Sequence, residues 1–171
     1  MTLRDIYTKQ KKYNEAGKIA NKIYIITNSQ TDLYEFLKIL NLQNKYNEVT
    51  GFADFIQSEN VAGEIAFAYY KLQKFEDAIN TLKPFTDNNN NPKLQDLLCK
   101  IYFETKQTDK AKEVLIKLEN NNTNDAQVLN YMGLTKLDEL QLDSAIGYFK
   151  EAIESDSQND SYNFNLAQAY F

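Results

Sequence analysis

Histidine is absent from this chain of 171 residues, and cysteine occurs once, at Cys99. Without histidine the commonest general base and the commonest metal ligand are missing. A single cysteine excludes an internal disulfide and any metal site built on several thiolates. Glycine is scarce, with five in all, and none falls in the spacing of a loop that cradles phosphate. No apolar run approaches the ~18 residues of a membrane span. Residues 1–30 are Lys-rich and polar and carry no signal-peptide pattern. The net charge of −5 argues against nucleic acid as the main partner. The carboxylates are spread along helical faces, and no nucleophile or acid–base pair gathers in one cleft, so the chain reads as non-catalytic, with no cofactor and no metal. Cys99 reads as a small buried apolar residue, because nothing beside it would activate a thiol.

What the chain does have is a strong helical period within a 43% hydrophobic composition. In Ala126–Asn159, Leu129, Met132, Gly133 and Leu137 recur at helical spacing, and so do Ala145, Ile146, Phe149, Ala152 and Ile153. Each set makes one apolar face, which predicts two short amphipathic helices. Glu139–Leu142 leaves room for a tight turn, and Asp143 stands at the positive end of the second helix. The small residues Gly133 and Ala145 are expected to face each other where the helices cross most closely. The pattern repeats along the chain. Its central small residue recurs as Ala16, Val49, Ala78, Ala111 and Ala145, with separations of 33, 29, 33 and 34 residues. The first two units share wording, KKYNEAGKIANKI at Lys11–Ile23 and NKYNEVTGFADFI at Asn44–Ile56. Chance helical patterns do not hold one register over five units.

This pattern resembles the tetratricopeptide repeat, a helix–turn–helix of about 34 residues. That family places a small residue at repeat position 8, an aromatic at 11, Ala at 20, an aromatic or aliphatic at 24 and Ala at 27. Here those positions hold Gly133, Lys136, Ala145, Phe149 and Ala152. Lys136 departs from the aromatic, and Ser157 stands where the family often has Pro. The resemblance implies an all-α fold, a right-handed α-solenoid of tandem helix–turn–helix repeats, as a single array over residues 1–171. The units are expected at about 1–29 (partial), 30–58, 59–91, 92–125, 126–159 and 160–171 (a partial first helix). The second unit is short by about a turn, and Val49 at its position 20 predicts a slightly wider crossing. Pro84 should kink or shorten the last turn of its helix. Asn91 reads as an N-cap with Pro92 as the first helical residue. The runs Asn88–Asn91 and Asn120–Asn122 read as polar linkers. Asn121–Thr123 and Asn159–Ser161 match the glycosylation pattern, which arises easily in an Asn-rich chain. Both ends interrupt the repeat, at Leu3 and Tyr7 and at Leu166, Ala167 and Tyr170. The expectation is therefore a fragment of a longer array.

The resemblance also implies a function: a protein–protein interaction scaffold or adaptor that holds its partner in a concave groove lined by the first helix of each pair. The family's groove positions fall on Tyr34, Lys38 and Asn41, then on Phe67, Tyr70 and Lys71. They continue with Lys93, Asp96, Lys100 and Phe103, with Gln127, Asn130, Leu134 and Leu137, and with Phe164 and Gln168. The candidate partner-binding residues are Tyr34, Lys38, Phe67, Tyr70, Lys71, Lys100, Phe103, Asn130 and Leu134. Rings gathered on one face suit an apolar or amphipathic segment, such as a helix laid in the groove. The same rings could instead pack between neighbouring first helices. The clamp with which some family members hold acidic chaperone tails is not kept. One register shows Gly63, Phe67, Leu97, Gln127 and Tyr131, and the other Tyr34, Lys38, Glu64, Lys93 and Leu97. Two other readings stay open: a structural subunit that self-assembles end to end in a larger complex, an envelope-associated one included, and a regulatory segment of a larger enzyme. The expected partner is a protein or peptide, with self-association allowed, and without nucleic acid or direct membrane insertion. Localisation stays open between cytoplasm and periplasm.

Overall fold

The computed structural model describes residues 2–87, 91–119 and 124–171. Asn88–Asn90, Asn120–Asn122 and Thr123, which carry most of both expected linkers and one glycosylation triplet, lie outside the described residues. The described residues form eleven α-helices and no strand. They group into two compact units, Met1–Asn89 and Asn90–Phe171. The first holds α1 (Leu3–Lys9), α2 (Tyr13–Thr27), α3 (Gln30–Leu42), α4 (Tyr46–Thr50), a 3₁₀ turn (Ala53–Phe55), α5 (Glu59–Lys71) and α6 (Phe75–Thr86). The second holds α7 (Pro92–Glu104), α8 (Thr108–Glu119), α9 (Ala126–Asp138), α10 (Leu142–Ser155) and α11 (Asp160–Tyr170). Within each unit odd- and even-numbered neighbours pack as pairs, and first helices stack, α3 on α5, α7 on α9 and α9 on α11. The fold is an all-α helical repeat.

The two helices of a pair begin differently. All six first helices start on a polar side chain that accepts from the first turn: Thr2, Ser29, Ser58, Asn91, Asp125 and Asn159. Each satisfies amide donors that have no partner inside the helix. Thr2 forms a full capping box, since the Asp5 carboxylate also accepts from the Thr2 amide at 2.8 Å. The second helices α2, α4, α6 and α10 have no such side-chain cap. They are launched by the turn before them. Lys11, Asn44, Gln73, Lys106 and Leu140 all adopt φ of 57–59°, and they keep the spacing of the central small residues. In each turn the next amide donates back to the carbonyl five residues earlier, as from Lys74 to Tyr69 at 2.9 Å and from Gln141 to Lys136 at 2.9 Å. This closes the first helix and aims the chain into the second.

The central residues Ala16, Val49, Ala78, Ala111 and Ala145 are all fully buried. The atoms nearest Gly133 belong to Phe149, a residue that the expected pairing with Ala145 did not include. A Cβ built on Gly133 would lie 2.4, 2.6 and 2.9 Å from three ring carbons of Phe149. The glycine makes room for that ring, one helical turn beyond Ala145. α6 runs two residues past Pro84 to Thr86, and the Thr86 hydroxyl donates to the Leu82 carbonyl at 3.2 Å. The second repeat is cut harder than by one turn. α4 has five residues, where α2, α6, α8 and α10 have 12 to 15. No described helix is long and apolar enough to cross a membrane.

Candidate protein-binding face

In the Met1–Asn89 unit the candidate residues sit on the adjacent helices α3 and α5. Tyr34, Phe67 and Tyr70 are half-buried, while Lys38 and Lys71 are exposed. The Lys38 ammonium lies 5.7 Å from the Tyr34 ring centre, and that of Lys71 lies 5.3 Å from Phe67 and 5.5 Å from Tyr70. Each ring thus carries a cation on one face, an attraction worth about 0.5–1 kcal/mol at exposed sites. The rings are steadied from behind. Phe67 meets Tyr46 edge-on at 6.3 Å, and Tyr70 tilts against Phe75 at 6.2 Å.

Beneath this face Asn41 is buried and joins α3 to α5. Its amide nitrogen donates to the Glu64 carbonyl at 3.0 Å and to the Glu64 carboxylate at 2.7 Å. Its own side-chain oxygen is buried without a partner. Burial pushes the Glu64 carboxyl above its ordinary range, against the Asn41 hydrogen bond and the charge of Lys38, and with the charge of Glu35.

In the Asn90–Phe171 unit the candidates are committed to holding first helices together. Lys100 pairs with Asp125 at 2.6 Å, and Asp125 is the residue that caps α9, so this ion pair ties α7 to α9. Phe103 stacks on Tyr131 with centroids 4.0 Å apart and planes 12° apart, and the Tyr131 hydroxyl accepts from Gln127 at 2.7 Å. Asn130 is 6% exposed, and its side-chain oxygen accepts from Asn165 at 2.7 Å, which joins α9 to α11. Leu134 packs with Leu137 against Ala145, Phe149 and Ala169. Phe164 stays open, 65% exposed. Tyr46, Asp125, Tyr131 and Asn165 were not among the candidate binding residues read from sequence. Only Asp125 carried a local signal, a capping residue before a helical run.

Cys99 is fully buried, and burial raises its thiol well above the ordinary range. Among the described residues no cluster of acidic and thiol side chains could hold a metal ion.

Comparison with known proteins fits this geometry. The family profile described as tetratricopeptide repeat matches residues 71–133. No curated protein matches the chain. Among solved structures, PilF of Pseudomonas aeruginosa superposes with a TM-score of 0.76 at 17% identity, over 98% of this chain and 81% of that one. YrrB, a tetratricopeptide-repeat protein with an unusual peptide-binding site, gives 0.67 at 12% identity, over 94% and 87%. A thermophilic tetratricopeptide-repeat protein of Thermus thermophilus, TTC0263, gives 0.66 at 15% identity, over 98% and 95%. Residues 71–133 are tetratricopeptide-repeat sequence, and the chain has the helical-repeat fold of these proteins. Proteins of this fold serve in general as protein–protein interaction scaffolds.

Proposed function

We propose that the chain is a non-catalytic scaffold whose Met1–Asn89 unit holds an apolar or amphipathic segment of another protein against α3 and α5. The observation that carries this reading is the set of three half-buried rings, Tyr34, Phe67 and Tyr70, each beside an exposed lysine. Large rings already fixed in place lose little entropy on binding and supply much of the energy of an interface. The two lysines favour a segment with acidic residues flanking its apolar ones. Lys100, Phe103, Asn130 and Leu134 belong to the support rather than to the binding face.

The test is affinity capture from cell extract, with retained proteins identified by mass spectrometry. The native chain is run beside two variants, Phe67→Ala/Tyr70→Ala and Lys38→Glu/Lys71→Glu. The second keeps every ring. A protein held by the native chain and lost from both variants supports the reading. Equal retention by all three chains would overturn it.

A further inference from the structure

One repeat position breaks its own rule, and a socket opens there. Nine residues before each central small residue the chain carries Tyr7, Leu40, Tyr69, Tyr102 and Lys136. Leu40 and Tyr102 are buried, and Tyr7 and Tyr69 pack against the core of their unit. In four units this position therefore fills space between helices. In the fifth a lysine stands instead. An ammonium group is too costly to bury unpaired; the Lys136 side chain is 24% exposed, and its ammonium pairs with Glu139 at 3.5 Å. A pocket of about 130 Å³ lies beside it between α8, α9 and α10. A cavity of about 150 Å³ is large enough for a benzene ring.

The walls match such a guest. Leu115 and Met132 are buried core residues, Ile116 and Tyr148 add apolar surface, and Lys112, Thr135, Lys136 and Glu139 supply the polar part of the lining. Ile116 is 62% exposed and brings an aliphatic group to the edge of the pocket. Lys112 has no ion-pair partner among the described residues, while Lys136 is already matched by Glu139, so the rim carries one unbalanced positive charge. At about 100° per residue, Met132 and Lys136 project from the side of α9 opposite Asn130 and Leu134. The socket is thus on the back of the helix, away from the face that stacks on α11.

We propose that this socket receives one aromatic side chain from a segment of another protein, with a carboxylate next to the ring paired to Lys112. The guest ring restores the volume that the other units fill from their own sequence. The site is independent of the face on α3 and α5.

The test uses the full chain with methyl-labelled Met and Ile, followed by NMR while acetyl-Glu-Phe-Glu-amide is added. Saturable shifts of the Met132 and Ile116 methyls in the millimolar range are expected, and none with acetyl-Glu-Ala-Glu-amide. Lys112→Glu should weaken the phenylalanine peptide about threefold, the scale of one exposed ion pair. Lys136→Phe should abolish the shifts while the circular dichroism stays helical. If that variant fails to fold, the peptide series on the native chain still decides. The proposal is overturned by no shifts at these methyls, by equal shifts with the alanine peptide, or by equal shifts with acetyl-Lys-Phe-Lys-amide. Shifts at these methyls that appear on concentrating the protein without peptide would assign the socket to a second copy, and would equally overturn it.

Discussion

Replacing Gly133 with alanine sets two effects of known sign against each other. Alanine is favoured over glycine inside a helix by about 1 kcal/mol. Against this, the new methyl carbon would sit 2.4 Å from a ring carbon of Phe149, with two more ring carbons inside 3 Å. Carbon atoms in contact prefer about 3.5–4.0 Å, so either the ring or the helix must move by about 1 Å. The ring is fully enclosed, so its swing would displace the side chains around it. α9 must then draw back from α10 along the most closely packed crossing of the unit. Overpacking of this kind costs about 1–3 kcal/mol, and the propensity gain offsets part of it. Gly133→Ala should therefore destabilise the Asn90–Phe171 unit by up to about 2 kcal/mol. The measurement is urea unfolding followed at 222 nm, for the parent, Gly133→Ala, Phe149→Leu and the double variant. The smaller leucine leaves room for the methyl, so the double variant should lose clearly less than the sum of the two single losses. A Gly133→Ala chain more stable than the parent, or strictly additive losses, would refute the argument that this glycine exists for that ring.

Other consequences can be read from the same geometry. Leu140 is 84% exposed at a φ of 58°, a conformation that costs a side-chain-bearing residue about 1 kcal/mol, so Leu140→Gly should raise stability by about 0.5–1 kcal/mol, and a lower melting temperature would count against it. Ala145 is fully enclosed, so Ala145→Asp should lose roughly 3 kcal/mol or more on thermal melting, and a parent-like melt would show that the helices are out of register. Burial raises the Glu64 carboxyl, so the folded protein holds that proton more firmly than the unfolded chain does. Its ionisation therefore costs stability as pH rises through the carboxylate range, and costs nothing below it. Glu64→Gln should be more stable than the parent at neutral pH and lose that advantage by about pH 4; a difference that ignores pH would refute this. Cys99 should resist an aromatic disulfide reagent in native buffer and react fully in denaturant, and fast native reaction would contradict its burial.

The fold was legible because helix pairs announce themselves twice, through the apolar period and through the small residues at crossings. Those residues must be small, so Ala16, Ala78, Ala111 and Ala145 mark the register even where other positions drift. Asn91 and Pro92 were equally readable, since a cap and its first residue are neighbours in sequence. The left-handed turns were not, because Lys11, Asn44, Gln73, Lys106 and Leu140 include no glycine. The conformation there is set by the two helices on either side rather than by the residue at the turn. The candidate face was legible only as a register. Its register put Tyr34, Lys38, Phe67, Tyr70 and Lys71 on neighbouring first helices. The pairs that occupy the other candidates, Lys100 with Asp125 and Asn130 with Asn165, join residues 25 and 35 positions apart. Each partner lies on the next helix of the stack, and no local pattern reports whether a polar group faces solvent or its neighbour in the next repeat. The partner of Gly133 was missed for a related reason. A one-turn difference in which residue fills a crossing changes no spacing in the sequence.

The brevity of α4 bears on how the Met1–Asn89 unit comes apart. This five-residue helix has one fully enclosed side chain, Val49, and a helix so short has little cooperativity of its own. Opening is easiest where few buried contacts hold the backbone. The amides of α4 and of the 3₁₀ turn behind it should therefore exchange with solvent before those of α3 and α5, through excursions that leave the rest of the unit folded. Such an excursion lifts Phe52 away from Tyr24 and Phe36, the rings it meets edge-on at 6.1 and 5.9 Å, and briefly wets the buried Phe36 ring. Among the described helices of this unit, the shortened repeat is thus where a protease would first gain a hold, and where two partly opened molecules would first adhere.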